Sequence, residues 1–204
     1  LYCSNVCCMN TIKDSLLIKE HWPETEIYVF YVDIRAYGKG FEDLYKRARK
    51  EGVVFIRGLP AEIIHDRKTH NLWLIGEDTL RKELYRINVD MAILSIGLEP
   101  RKDSEIIQRL LTLSRTQDGF FMEAHPKLRP VDAATGGIFF AGCAEAPKDI
   151  KDSVTQASAA AARAGILMAK GKVTVEAITP ISYAEKCKVC GLCTKVCPYN
   201  AITL

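Results

Sequence analysis

The side chains best equipped for chemistry in this sequence are its eight cysteines, and their spacing sorts them into groups. Cys3, Cys7 and Cys8 fall within the opening YCSNVCC, while Cys187, Cys190, Cys193 and Cys197 fall within CKVCGLCTKVCP, and Cys143 stands alone. The second run is C-x2-C-x2-C-x3-C-P, the spacing with which bacterial ferredoxins hold iron–sulfur clusters. Two-residue gaps let successive thiolates converge on one cluster, Gly191 relieves the backbone between them, and Pro198 closes the turn after the last ligand. Zinc sites also use C-x2-C pairs, but they normally separate two pairs by a longer loop. The run therefore points to a 4Fe–4S cluster. In two-cluster ferredoxins the fourth cysteine of such a run serves the other cluster. Either one cluster takes all four thiolates, or a second run lies beyond Leu204; the reading favours the second, a ferredoxin domain cut in half.

Three cysteines in a single loop at the start of the chain are equally unusual. They could be small buried core residues, as free cysteine often is, or a redox dithiol, although no C-x-x-C pair occurs among them. Their density favours a cluster, because a helix N-terminus that attracts a phosphate also attracts an anionic thiolate-ligated centre. Cys3, Cys7 and Cys8 then supply three ligands, and a fourth is expected upstream of Leu1.

The remaining composition narrows the class. The chain has 204 residues, 48% hydrophobic and 26% charged, with a formal charge of +3, which allows one or two domains with a real core. KRARK at 46–50 belongs to the amphipathic FEDLYKRARKEG and reads as a solvated helix face, so no nucleic-acid partner is expected. The most apolar stretch, AAAARAGILMA at 159–169, is short and interrupted by Arg163, so no membrane insertion is expected. No signal peptide is visible. Clustered cysteines without an export signal place the protein in a reducing, cytoplasmic compartment. The initial Leu1 suggests a segment, a processed product or one half of a split protein.

The elements that must position these cysteines follow an α/β order. Met9, Ile12 and Leu16 mark one face of a helix from Met9 to His21, ended by Pro23. EIYVFYVDI (26–34) reads as a buried strand, 41–50 as a helix with Gly52 past its end, VVFIRG (53–58) as a strand, 61–88 as a β-meander and MAILSIG (91–97) as another buried strand. This is a nucleotide-binding βαβ unit with its first strand missing. YCSNVCC occupies the place where G-x-G-x-x-G would meet a pyrophosphate. Asp33 stands where such folds put a ribose-binding acid, but with the glycine loop replaced, NAD(P) is not expected. Farther on, IFFAG (138–142) reads as a short buried strand running into a long Ala- and Ser-rich helix. The four histidines show no ligand spacing, and His125 is assigned a structural hydrogen bond.

TGGIFFAGCAEAPKDIKDSVTQASAAAARA resembles the second flavin-binding motif of thioredoxin-reductase-like flavoproteins, with Cys143 where those enzymes carry a ribityl-binding Asp. The whole chain is more similar still to the C-terminal part of the A-type subunit of heterodisulfide reductase, the flavin subunit of methanogens and many anaerobes. The resemblance rests on YCSNVCCMNTIKDSLLIKEH, YVDIRAYGKGFEDLYKRARKEGVVFIRG, SIGLEPRKD, GFFMEAHPKLRPVDAATGGIFFAG and PKDIKDSVTQASAAAARA, followed by the ferredoxin run.

That resemblance implies an α/β fold: an incomplete thioredoxin-reductase-like core of two nucleotide domains, with parallel sheets and a β-meander, joined to a ferredoxin-like iron–sulfur segment. The implied domains are 1–97, a truncated nucleotide-binding-like domain with the cysteine loop; 98–170, part of an FAD-binding domain; and 171–204, the 4Fe–4S segment. It implies FAD, in a site shared with a missing N-terminal half or partner chain, and 4Fe–4S clusters. Backbone at Gly142 and Cys143 would follow the ribityl chain and pyrophosphate. The helix N-terminus near Ser153 and Val154 would face the flavin pyrimidine, with Lys148 and Asp149 beside the ring. Implied partners are the chain carrying that N-terminal half, B- and C-type subunits of the reductase, a hydrogenase or other electron-input subunit, and ferredoxin. The implied work is electron transfer between FAD and clusters, in several members with flavin-based bifurcation. A quinone-interacting oxidoreductase of sulfate reducers resembles the same family, and a non-catalytic iron–sulfur wiring module is a reading of a different class.

Overall fold

The computed structural model describes residues 2–172, 181, 183–197 and 202. They form two units, residues 1–99 with 147–149, and 100–146 with 150–204.

In the first unit, helix α1 (Cys7–His21) begins two residues earlier than its apolar periodicity indicates. Asn5 turns the chain with φ +57°, the Val6 N–H reaches the Ser4 carbonyl at 2.7 Å, and the Asn10 N–H reaches the Val6 carbonyl at 3.0 Å. Cys7 and Cys8 are thereby drawn into the first helical turn. Met9, Ile12, Ser15 and Leu16 are buried, the spacing of one helical face. The helix ends at Trp22, whose N–H caps the Ile18 carbonyl at 2.7 Å, just ahead of Pro23.

Strand β1 (Tyr28–Tyr31), helix α2 (Phe41–Lys50) and strand β2 (Val54–Arg57) form a parallel crossover, with Tyr28 opposite Val54 and Tyr31 opposite Arg57. Glu42 and Asp43 in the first turn of α2, and Arg47, Arg49 and Lys50 in its last, match the helix dipole. The basic run is thus a solvated face, and only Ala48 of this helix is buried. The core joins Met9, Ile12 and Leu16 to Val29, Ala48 and Val53, and Ile12 at its centre is 0% exposed.

Strands β3 (Glu62–His65), β4 (Leu72–Asp78) and β5 (Glu83–Val89) form the expected antiparallel meander. It is stitched to the parallel pair. Phe30 stacks on Tyr85 with centroids 5.1 Å apart, and the Thr79 N–H donates to the Arg57 carbonyl at 2.7 Å. At Gly58, with φ +139°, a Cβ would run into the Glu77 carbonyl, so the close approach and the backbone conformation both require glycine.

Two strand expectations are corrected here. The run 26–34 narrows to four strand residues, and Asp33 lies beyond them, exposed. The run 91–97 is not a strand: Met91, Ile93, Leu94 and Ile96 are 72–79% exposed. A continuous apolar run becomes a buried parallel strand only when neighbouring strands complete its ladder, and among the described residues it pairs with none. Side chains fix it instead. The Thr11 hydroxyl donates to the Ser95 hydroxyl at 2.8 Å, which donates to the Cys7 carbonyl at 3.3 Å. The Leu98 N–H donates to Ser4 Oγ at 2.9 Å, and the Tyr2 hydroxyl donates to the Leu98 carbonyl at 2.6 Å.

The second unit holds helix α3 (Ser104–Leu111), an antiparallel hairpin of β6 (Glu123–His125) and β7 (Arg129–Ala133), and helix α4 (Ile150–Lys170). Its small core is Leu113, Ala133 and Phe140, with Phe121 stacked on Phe140 at 5.6 Å. IFFAG, read as a strand, is reduced to a bridge between Phe139 and Asp132. It folds back on β7 through the Phe140 N–H to the Val131 carbonyl at 2.7 Å and the Ala133 N–H to the Ile138 carbonyl at 2.9 Å. A short helix α5 (Leu192–Val196) lies in the ferredoxin-type run. Among the described residues the fold is therefore mixed α/β with small sheets, and only β1–β2 is parallel.

Candidate cysteine and cofactor sites

None of the eight cysteines forms a disulfide. In the opening loop Cys3 is exposed and Cys7 and Cys8 are half-buried. Position in the first turn of α1 puts Cys7 and Cys8 at the positive end of the helix, with the Cys8 N–H turned toward the Cys7 sulfur. Cys3 Sγ accepts the Asn5 N–H at 3.3 Å, and the Cys8 thiol points at the Asp33 carbonyl at 3.6 Å, so the loop after β1 helps to seat it. Burial, then the neighbouring Cys8 and, more weakly, Cys3, push the Cys7 thiol above its ordinary value. Cys7 therefore sits beside two neighbouring sulfurs whose charge disfavours its thiolate. The three sulfurs do not close into a ligand set: among the described residues no three His, Cys, Asp or Glu side chains stand together as a metal-holding group.

The ferredoxin-type run is built for turning. A single 3-10 turn (Ala184–Lys186) delivers Cys187, whose N–H reaches the Ala184 carbonyl at 3.1 Å. Val189 and Gly191 adopt φ +53° and +71°, curling the backbone between successive cysteines. Cys193 rides on α5, and the Cys197 N–H returns to the Cys193 carbonyl at 3.2 Å. Cys187, Cys190 and Cys193 are exposed, and Cys197 is half-buried. Their donor type and spacing suit an iron–sulfur cluster, but among the described residues these four sulfurs do not stand together as a metal-holding group either. Pro198, read as the residue that closes the turn, lies outside the described residues.

For the flavin candidates, Gly142 adopts φ +66° at the start of a 3-10 turn (Gly142–Ala144), and its missing side chain would meet Ser153 Oγ at 3.6 Å. Gln156 on α4 donates to Glu145 at 3.1 Å and fastens the turn to the helix. α4 begins at Ile150, so Ser153 closes its first turn and Val154, 60% exposed, starts the second. The start of α4 stands beside a left-handed glycine, and a helix N-terminus favours an anionic cofactor edge. Lys148 and Asp149 belong to the 147–149 segment of the first unit, which Asn5 anchors by donating to the Pro147 carbonyl at 3.1 Å. Two clefts of about 470 and 380 Å³ lie around Ile34–Tyr37 and around Tyr31, Arg49 and Arg81, and neither includes any of these residues.

One charged cluster arises only from the fold. Asp132 on β7, 3% exposed, accepts from Arg163 on α4 at 2.8 Å (Nη2 to Oδ1) and 3.1 Å (Nε to Oδ2), with Arg129 Nη2 at 3.4 Å. In the sequence Arg163 only interrupts an apolar stretch; the signal was an aspartate inside the strand-like PVDAA facing a lone helix arginine. Hydrogen bonding from Arg163, and then its charge, holds the Asp132 carboxyl below its ordinary range despite burial. A depressed folded-state value means that this stabilisation is full above the unfolded carboxylate range and lost as pH falls through the folded one. Asp132→Ala is expected to cost about 2 kcal/mol at neutral pH and to flatten the acid side of the stability curve. Urea unfolding from neutral to acidic pH checks both.

Residues 180–203 match the 4Fe-4S binding domain family. The chain is 52% identical over 204 residues to the second iron-sulfur A subunit of CoB–CoM heterodisulfide reductase from Methanopyrus kandleri, covering all of this chain and 31% of that protein. It is 48% identical over 204 residues to the A subunit of the H(2):CoB-CoM heterodisulfide,ferredoxin reductase of Methanothermobacter thermautotrophicus, again covering the whole chain and 31% of the relative. The A subunit of the H(2)/formate:CoB-CoM heterodisulfide,ferredoxin reductase of Methanococcus maripaludis is 48% identical over 203 residues, 99% of this chain and 31% of its own length. The chain thus spans about a third of the curated relatives it matches.

Proposed function

We propose, for a chain that aligns end to end within the C-terminal part of heterodisulfide reductase A-type subunits, that it is an iron–sulfur and flavin electron-transfer portion of a heterodisulfide-reductase-type oxidoreductase. The observation that carries this reading is the 52% identity maintained over all 204 residues. Cys187, Cys190, Cys193 and Cys197 provide thiolates for 4Fe–4S binding, which the family match over 180–203 supports. Cys3, Cys7 and Cys8 provide three more at the start of α1. Gly142 and Cys143 present backbone to FAD, Ser153 and Val154 present the first turns of α4, and Lys148 and Asp149 bring side chains toward the ring. When bound, these groups supply one-electron relay at the clusters and two-electron storage at the flavin.

The work of the chain itself is electrostatic. Helix amides at the start of α1 and of α4 stabilise negative charge where each cofactor gains it, and the Lys148 ammonium adds a positive charge. The name of the Methanothermobacter relative joins one donor, hydrogen, to two acceptors, the heterodisulfide and ferredoxin. That pairing supports bifurcation as the finer reading. The partners are then the polypeptide that supplies the rest of the flavoprotein, B- and C-type subunits, an electron-input subunit such as a hydrogenase, and ferredoxin. No helix among the described residues is long and apolar enough to cross a membrane, and the assembly is assigned to the cytoplasm.

The test is the absorption and metal content of the native complex purified without oxygen. Flavin near-stoichiometric with this chain, alongside iron and sulfide, is the expected result; iron and sulfide without flavin leaves only a wiring role. In the same complex Lys148→Ala is expected to lower the flavin potential by about 30 mV, equivalent to ~1.4 kcal/mol for a two-electron couple. An unchanged potential removes Lys148 from the site.

A further inference from the structure

A cleft of about 380 Å³ lies where α2, β2 and the turn between β4 and β5 meet, a volume within the range of pockets that hold small organic molecules. All of its walls come from one continuous stretch, residues 31–81. The floor is aromatic. Tyr45 of α2 meets the Phe55 ring edge-on with centroids 4.8 Å apart, and Tyr31 at the end of β1 meets the same ring at 6.4 Å. Val53, 4% exposed, lines the same floor.

The rim is cationic, and both cations are placed by local structure. Lys46 and Arg47 of α2 pair with Glu42 and Glu51 on their own helix. Arg49 does not: its guanidinium lies over the Tyr45 ring, 5.8 Å from the centroid, with no ion pair among the described residues. Arg81 stands in the turn at 79–82. Asp78 Oδ1 accepts the Leu80 and Arg81 N–H groups at 3.0 and 3.2 Å, and Thr79 donates its N–H and its hydroxyl to the Arg57 carbonyl at 2.7 and 2.9 Å. The turn is thereby clamped to the end of β2. Arg81 Nε is 3.9 Å from Asp78 Oδ2, a loose pair, and its side chain is 75% exposed. The polar side chains of the lining are thus two phenols and two guanidiniums, with no carboxylate among them. Guanidiniums only donate, and burial, with the neighbouring Tyr45, pushes the Tyr31 phenol above its ordinary value, so it too keeps its proton.

We propose that this cleft binds a small aromatic phosphate monoester, with its flat ring against Tyr31, Tyr45 and Phe55 and its phosphate at Arg49 and Arg81. Two separate positive charges match a dianion, and guanidinium geometry suits phosphate oxygens. The aromatic floor takes the place of water around the ring. No cysteine and no flavin candidate lines the cleft, and neither does Asp33, the position considered for a dinucleotide ribose. The site therefore stands apart from the function proposed above and does not depend on it.

The experiment photolabels the native complex with 8-azidoadenosine 5′-monophosphate and maps the labelled peptides by mass spectrometry. Expected is label within 45–55 or 80–81, suppressed by excess adenosine 5′-monophosphate but not by the same concentration of adenosine or of inorganic phosphate. Arg49→Gln and Arg81→Gln, both at exposed positions, are each expected to reduce that labelling about tenfold, the loss of one charged hydrogen bond. The far-UV spectrum and the iron content of the complex stay unchanged in both. Label that is absent from these peptides, or that persists in both variants, overturns the site. Adenosine competing as well as its monophosphate removes the arginines from recognition, and phosphate competing alone removes the rings; either result also overturns it.

Discussion

Cys190→Ala is expected to strip ~4 iron atoms and a matching amount of acid-labile sulfide from each chain, one whole 4Fe–4S cluster. A methyl group cannot replace a soft anionic donor, so the set of thiolates that holds the cluster is broken. Cys190 stands between the left-handed Val189 and Gly191. The substitution spares the first unit, whose core of Met9, Ile12, Leu16, Val29, Ala48 and Val53 draws nothing from this loop. Colorimetric iron and sulfide per chain is the measurement, and Cys143→Ala, outside both cysteine groups, is the control expected to keep its iron. Iron unchanged in Cys190→Ala ends the cluster assignment for this run.

Ile12→Ala carries the largest expected stability effect, about 3 kcal/mol from lost burial and the cavity left behind. Ile12 is 0% exposed at the centre of the first unit's core. Leu17 on the same helix is 44% exposed, so Leu17→Ala is expected to cost a small fraction of that. Denaturant unfolding of the two variants side by side separates core packing from helix propensity, which both changes alter alike. The consequence reaches the cysteine loop. α1 carries Cys7 and Cys8 in its first turn, so a loosened helix also loosens those thiols.

The sequence announced some elements and hid others, for physical reasons that differ residue by residue. α2 occupies the expected 41–50, because its acidic start, basic end and following Gly52 are local signals that need no tertiary help. The meander was legible from its alternating segments, which the structure separates with turns at 66–71 and 79–82. MAILSIG misled because apolar runs report a demand for burial rather than the presence of partners. α1 starts two residues before its apolar periodicity indicates, because the turn at Asn5, φ +57°, is a backbone event that periodicity does not register. Of the candidate sites, the ferredoxin-type cysteines were fully legible as a spacing, whereas the Asp132–Arg163 pair depends on β7 and α4 meeting across about thirty residues of sequence, which no local pattern encodes.

Gly58 has a bearing on how this architecture can be altered. With the chain threaded past the Glu77 carbonyl there and Thr79 returning to Arg57, the meander cannot be excised, transplanted or swapped for a longer loop as an independent cassette. A chimaera joined at either end of it inherits a steric lock that only the smallest residue opens. Drift in this lineage should therefore preserve the register between positions 58 and 77 even where the hairpin tips change freely.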